Sequence, residues 1–209
     1  DNTYKSLIYA YEFTKLKKSI GVITLPLNKN IIIKNIDKKF KGQTEFFQKL
    51  DNKKYSNMIF VHKKIIIATL TNHIRLKNVT SEIKKTEKIL NKIRILNNTL
   101  IYKFNINKPK FIISGINPHC GESGNFGNEE IKYQIPIIKK LIQENINITG
   151  PISGDSIVNY ANILKYDCFI FNYHDQALIP FKIISKYSGI NYTDGLNIIR
   201  VSPDHGTAY

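Results

Sequence analysis

The sequence predicts an α/β protein with a largely parallel sheet flanked by helices. Three observations carry this: short apolar runs that do not alternate with polar residues, longer stretches with apolar residues at helical spacing, and the succession of the two along the chain. The apolar runs lie at 20–25, 58–61, 65–70, 110–116 and 168–172. Their length and unbroken hydrophobicity suit strands covered on both faces. Residues 81–100 carry Ile89, Ile93, Leu96 and Leu100 on one helical face and lysines on the other, with Thr80 or Ser81 placed to cap the start. Residues 129–144 carry Ile131, Ile135, Ile138 and Ile142 as a stripe. Asn128 is the expected cap there, and Glu129 and Glu130 sit near the positive end of the helix dipole.

The 209 residues suit one large domain or two small ones, and no repeat or low-complexity linker divides them. A net charge of +15 raises the question of nucleic acid. The lysines are spread along the whole chain among many Ile and Asn residues, as in Ile31–Asn35, so charge alone does not point to a nucleic-acid groove. No apolar run approaches the roughly 20 residues that cross a bilayer. Asp1 to Lys5 has neither an initiator Met nor an apolar leader, so a soluble, cytoplasmic piece of a longer protein is expected. Cys120 and Cys168 cannot build a disulfide framework, and Cys168, inside an apolar run, reads as a buried side chain.

The chemistry concentrates around histidines. His73, His119, His174 and His205 follow candidate strands beside small or polar residues, whereas His62 reads as part of an exposed turn. His119 lies in Asn117-Pro118-His119-Cys120-Gly121-Glu122-Ser123-Gly124, where a strand gives way to a Gly-rich loop and then a helix. That is the carboxyl end of a strand, where open α/β sheets bind ligands. His174 has Asp175 beside it, and a carboxylate next to an imidazole can orient it for a metal. Three such imidazoles either converge on one divalent cation or are scattered structural residues, and spacing does not choose. Lys182, Asn191 and Arg200 suit a phosphate or carboxylate ligand, or lie solvated on the surface. Asp204-His205-Gly206-Thr207 is either a nucleotide-binding backbone or an ordinary turn.

Taken in order, Asn117-Pro118-His119-Cys120-Gly121-Glu122, Gly150-Pro151-Ile152-Ser153-Gly154-Asp155, Tyr173-His174-Asp175-Gln176 and Asp204-His205-Gly206-Thr207-Ala208 resemble the 4-hydroxythreonine-4-phosphate dehydrogenase family of vitamin B6 (pyridoxal phosphate) biosynthesis. The resemblance runs from about Ile20 to Tyr209. It implies an isocitrate/isopropylmalate dehydrogenase-like fold and a homodimer with its site at the interface. Residues 1–209 would then be the central and C-terminal part of one dehydrogenase, without its N-terminal portion and extreme C-terminus. It implies a divalent cation (Zn, Mg or Co) on His73, His119 and His174, with NAD or NADP near Asp204, His205, Gly206 and Thr207. It places a small phosphorylated substrate on Gln43, Thr44, Lys182, Asn191 and Arg200, with Asp155, Asp175 and Lys182 as catalytic groups. The implied reaction oxidises 4-hydroxythreonine 4-phosphate to a 3-keto acid that loses carbon dioxide. A sister dehydrogenase of threonate 4-phosphate and a degenerate, non-catalytic metal-binding protein are the rivals. The chain departs from the family pattern at Gln43, where His is usual, at Cys120 and Ala177, and at Asp194, where an uncharged residue is common. Cys120 places a soft thiol, itself a metal-binding group, beside a ligand position.

Overall fold

A computed structural model describes residues 2–38 and 40–205. Its strands are β1 (Val22–Ile23), β2 (Asn57–His62), β3 (Ile65–Thr69), β4 (Lys110–Ser114), β5 (Asn147–Ile152), β6 (Cys168–Phe171), β7 (Ile190–Asp194) and β8 (Arg200–Pro203). They form one sheet in the order β1-β8-β7-β2-β3-β6-β4-β5. Four pairings are parallel, β1 with β8 and the β3-β6-β4-β5 run, and three around β2 and β7 are antiparallel. The helices are α1 (Asn2–Lys15), α2 (Lys29–Asn35), α3 (Gln43–Leu50), α4 (Val79–Ile83), α5 (Thr86–Tyr102), α6 (Ile135–Gln143), α7 (Tyr160–Lys165) and α8 (His174–Ser185). The expected α/β architecture is present. Among the described residues no helix is long and apolar enough to cross a membrane.

The unbroken apolar runs bury both faces of the sheet. On one face Ile59, Ile66, Ala68, Phe111, Ile113, Cys168 and Ile170 pack with Ile89, Ile93, Leu96 and Leu100 of α5 and Ile137, Ile138 and Leu141 of α6. On the other, Met58, Phe60, Ile67, Ile112, Phe169 and Phe171 meet Ala177, Leu178 and Phe181 of α8. A third core joins α1, α2 and α3 to Val22, Leu196 and Ile198.

Several expectations change. Residues 81–100 are two helices, because five polar residues, Lys84 to Lys88, leave more than a turn without an apolar contact between buried Ile83 and Ile89. Neither helix has a side-chain cap; Thr80 and Ser81 lie inside α4. The 129–144 segment is a π-helical turn over Glu130–Gln134 that runs into α6. Its buried stripe is Glu130, Gln134, Ile137, Ile138 and Leu141, while Ile131 and Ile142 are half-exposed, since the wider turn shifts the phase of every later side chain. No side chain caps this segment either, Asn128 included. His62 is the last residue of β2, half-buried, with Nδ1 3.1 Å from Ser188 Oγ. Ile20 and Leu25 are exposed, and only Val22–Ile23 of the 20–25 run pairs as a strand.

Candidate active site

The antiparallel centre of the sheet builds the floor of a cleft. Residues two apart on a strand share a face, and the register sets Phe60 opposite Asn191, Met58 opposite Thr193 and Ser202 opposite Asn191. Met58, Phe60, Asn191, Arg200 and Ser202 therefore line one side of a cleft of about 770 Å³. The first turn of α8 and one face of its body close it: His174, Leu178 and Lys182 recur every fourth residue, and Asp175 and Ile179 flank them. The start of α3 contributes Gln43 and Thr44, and the loop after β3 contributes His73.

Arg200 anchors the floor. It is 2% exposed. Its Nε and Nη2 donate to Thr24 Oγ1 at 3.1 and 2.5 Å, Nη1 to Thr193 Oγ1 at 2.9 Å, and Nη2 to Gln43 Oε1 at 2.6 Å. All of these acceptors are neutral. Burial accordingly pulls the guanidinium down to about 10, with only Glu45 opposing. Gln43 is held from its other end by Nε2 donating to Leu25 O at 2.9 Å. Lys182 lies in the same cleft, its Nζ 5.1 Å over the Tyr187 ring. Among the described residues, Asn191 Oδ1 and both carboxylate oxygens of Asp204 are buried with no hydrogen-bond partner. Unsatisfied acceptors in a cleft are expensive unless a ligand meets them.

The His73 and His174 rings are 5.7 Å apart, centroid to centroid. His174 Nδ1 is 2.6 Å from Asp175 Oδ1, and His73 Nδ1 is 3.6 Å from Glu45 Oε1. A carboxylate on Nδ1 orients an imidazole and leaves Nε2 for a metal. Burial works to raise the Glu45 carboxyl, but His73, the residue's own backbone amide and Lys29 together hold it below the ordinary carboxylate value. Glu45 carried no role in the sequence reading; the signal was its place in Gly42-Gln43-Thr44-Glu45 at the head of a helix.

His119 is not in this cleft. It follows β4 in a turn where His119, Cys120, Gly121, Glu122 and Ser123 all have left-handed backbone, at φ 50, 54, 79, 42 and 58°. Asp155 follows β5; Ser153 Oγ donates to Asp155 Oδ1 at 2.6 Å, and that bond, with a smaller electrostatic contribution from His119, lowers its carboxyl below the usual range. No group of three His, Cys, Asp or Glu side chains able to hold a metal occurs among the described residues. The expected convergence of three imidazoles thus stops at two within one chain. Burial, with Glu130, raises the Cys120 thiol above its ordinary value. Asp204 and His205 line the cleft, whereas Gly206 and Thr207 lie outside the described residues.

The model of the family described as "Pyridoxal phosphate biosynthetic protein PdxA" matches residues 1–209. A 4-hydroxythreonine-4-phosphate dehydrogenase of Sulfurihydrogenibium sp. is 41% identical over 193 residues, covering 92% of this chain and 59% of its own. The enzyme of that name from Aquifex aeolicus is 41% identical over 189 residues, covering 90% of this chain and 58% of its own. The crystal structure of 4-hydroxythreonine-4-phosphate dehydrogenase from Klebsiella pneumoniae superposes with a TM-score of 0.87 at 29% identity, covering 98% of this chain and 62% of that one. The chain thus spans about three fifths of the length of these relatives, and it belongs to the PdxA family of pyridoxal phosphate biosynthetic proteins.

Proposed function

We propose that this chain carries the substrate- and metal-binding part of a cytoplasmic 4-hydroxythreonine-4-phosphate dehydrogenase. The enzyme would oxidise 4-hydroxythreonine 4-phosphate with NAD or NADP to the 3-keto acid, which decarboxylates to 3-amino-2-oxopropyl phosphate. The observation that carries the reading is a buried arginine bonded only to neutral oxygens, beside two carboxylate-backed imidazoles in one cleft. An anionic substrate with an oxidisable hydroxyl needs both.

In this reading Arg200 and Lys182 hold the phosphate and carboxylate ends, and fixed anchors at both ends orient the reacting carbon. Gln43 and Thr24 hold the guanidinium in place for that task. Asn191 Oδ1 and Thr44 take the remaining polar groups of the substrate. His73 and His174 would hold the divalent cation, and the third imidazole, His119, would come from a second copy of the chain together with Asp155. The support is the split itself: two histidines share the cleft, and the third stands apart from it, after a different strand. When bound, such a cation would supply Lewis-acid stabilisation of negative charge on a substrate oxygen, and the nicotinamide would supply the hydride acceptor. Asp175, exposed in the cleft and bonded to His174, would take the hydroxyl proton. Asp204 and His205, which line the cleft, would meet the nicotinamide nucleotide.

The full-length protein, assayed with Zn²⁺, Mg²⁺ or Co²⁺ in turn, should reduce NAD⁺ or NADP⁺ with 4-hydroxythreonine 4-phosphate. Its kcat/KM should exceed that for threonate 4-phosphate by at least about tenfold, because a site built to pair the amino group rejects an analogue without it. The reverse preference would assign the chain to the sugar-acid enzyme. No reduction with any combination would support a non-catalytic metal-binding protein.

A further inference from the structure

A buried polar cluster outside the cleft ties the end of β4 to the end of β6. Ser114 and Asn172 are fully buried, and Glu130 and Gln134 are 1% and 2% exposed. Asn172 Nδ2 donates to the carbonyls of Ser114 and Gly115 at 2.9 Å each. Gln134 Nε2 donates to Ser114 O at 3.0 Å and to Asn172 Oδ1 at 2.8 Å. Gln176 Nε2 donates to Gly115 O at 2.9 Å, while its Oε1 accepts from Asn172 N and Ser114 Oγ at 3.0 Å. Asn172 and Gln176 stand two residues to either side of His174, and Ser114 and Gly115 lead into the His119 turn.

Glu130 grips the base of that turn. Its Oε1 accepts from the backbone N–H of Ile116 and of Asn117 at 2.7 Å, and its Oε2 accepts from Asn117 Nδ2 at 2.9 Å. Glu130 and Gln134 are the first and last residues of the π-helical turn, whose wider winding brings both to the side facing the sheet. Apolar residues of similar size would fill this space at less electrostatic cost. What they would lose is the directional bonding that holds two segments in one relative position.

We infer that Glu130 and Gln134 are positioning residues for the histidine-bearing segments: Glu130 fixes the His119 turn, and Gln134 sets that turn and the start of α8 relative to each other. The consequence for metal rests on the ligand reading above; the positioning itself does not.

The test uses the metal-free full-length protein at fixed pH, with imidazole NMR signals assigned through single His→Ala variants. Glu130→Gln should move the His119 signals and leave those of His174 and His62 in place. Gln134→Leu should move His119 and His174 and leave His62. Zinc affinity, measured by chelator competition, should fall by about 10–100-fold in Gln134→Leu, the loss typical when a partner that orients a ligand is removed. Unmoved His119 and His174 signals in Gln134→Leu, or an equal shift of His62, would overturn the inference. Should Gln134→Leu not fold, Ser114→Ala, which strips one hydroxyl from the same cluster, must move the same two signals. Zinc affinity unchanged in His119→Ala would overturn the ligand reading alone, and the ring signals would still decide the positioning.

Discussion

Arg200 shows how a residue legible in the sequence gains its meaning only from its surroundings. As one of 31 basic side chains it was a candidate anchor among many. Its burial, its hydroxyl and amide partners and its lowered pKa describe a cation that a bound anion would stabilise, as proposed for the substrate. A fall from 12.5 to about 10 corresponds to roughly 3 kcal/mol of unfavourable burial at neutral pH, as an order of magnitude. An anionic ligand offsets that cost. Inorganic phosphate should therefore raise the thermal midpoint of the wild type, and the rise should vanish in Arg200→Met. Equal phosphate shifts in the two proteins would remove Arg200 from the anion site.

Gln43 was legible as a neutral hydrogen-bonding group, but not as the residue that holds Arg200. A His in its place would sit against the guanidinium. Protonated, it adds a second cation there, unfavourable without a ligand and favourable with a phosphate. Gln43→His should give kcat/KM a titration step between about pH 5 and 8 that the wild type lacks. Superimposable pH profiles would place the position outside substrate contact.

At the scale of elements, the best-read pieces were those covered by apolar contacts. The strands β2, β3, β4 and β6 and the stripe of α5 were visible because both faces of the sheet are dry. The strands β7 and β8 were not, because one face of each lines the cleft: Asn191 and Ser202 interrupt the apolar run that marks a buried strand. Asn191 was singled out as a candidate anchor for the same polarity that hides its strand, and it lines the cleft. The His119 turn was visible as Gly-rich, but its run of left-handed backbone was not. Gly121 carries that turn, since a Cβ at φ +79° would stand 2.3 Å from Gly127 O. Gly121→Ala should lower activity of the full-length enzyme by about tenfold or more, as misplacement of a ligand does, with global unfolding still cooperative. Wild-type activity would show that the turn tolerates a different path.

The helix α5 also holds an unexpected charge. Lys92 was assigned to the solvated face but is 5% exposed, its Nζ donating to Leu70 O at 2.6 Å. Burial, with repulsion from Lys88, lowers it to about 8, and Asp194, Glu82 and Glu45 offset only part of this. Below pH 8 the folded chain carries a buried ammonium. Between about 8 and 10.5 the folded chain has lost that proton while the unfolded chain keeps it, so this group makes stability rise with pH in that window. Lys92→Met should raise the thermal midpoint at pH 7 and abolish the gain between pH 8 and 10. A lower midpoint at pH 7, with the alkaline gain retained, would show that the ammonium's bond to Leu70 outweighs its burial.

At the scale of the whole molecule, His119 and Asp155 follow β4 and β5 at one edge of the sheet, while the cleft gathers around β8, β7 and β2 toward the other. A chain can be read for which histidines it contains, but not for which copy of the chain each one serves. Two broken variants answer that question. His73→Ala and His119→Ala of the full-length enzyme should each be inactive alone. On the proposed site shared between two copies, unfolding them together and refolding the mixture should give one half mixed dimers, each with one site that takes an intact His73 from one copy and an intact His119 from the other. Activity should then recover to about a quarter of the wild-type value, as random two-fold pairing requires. A mixture as inactive as its two parents, with mixed dimers demonstrated by mass, would contradict a site assembled from two copies.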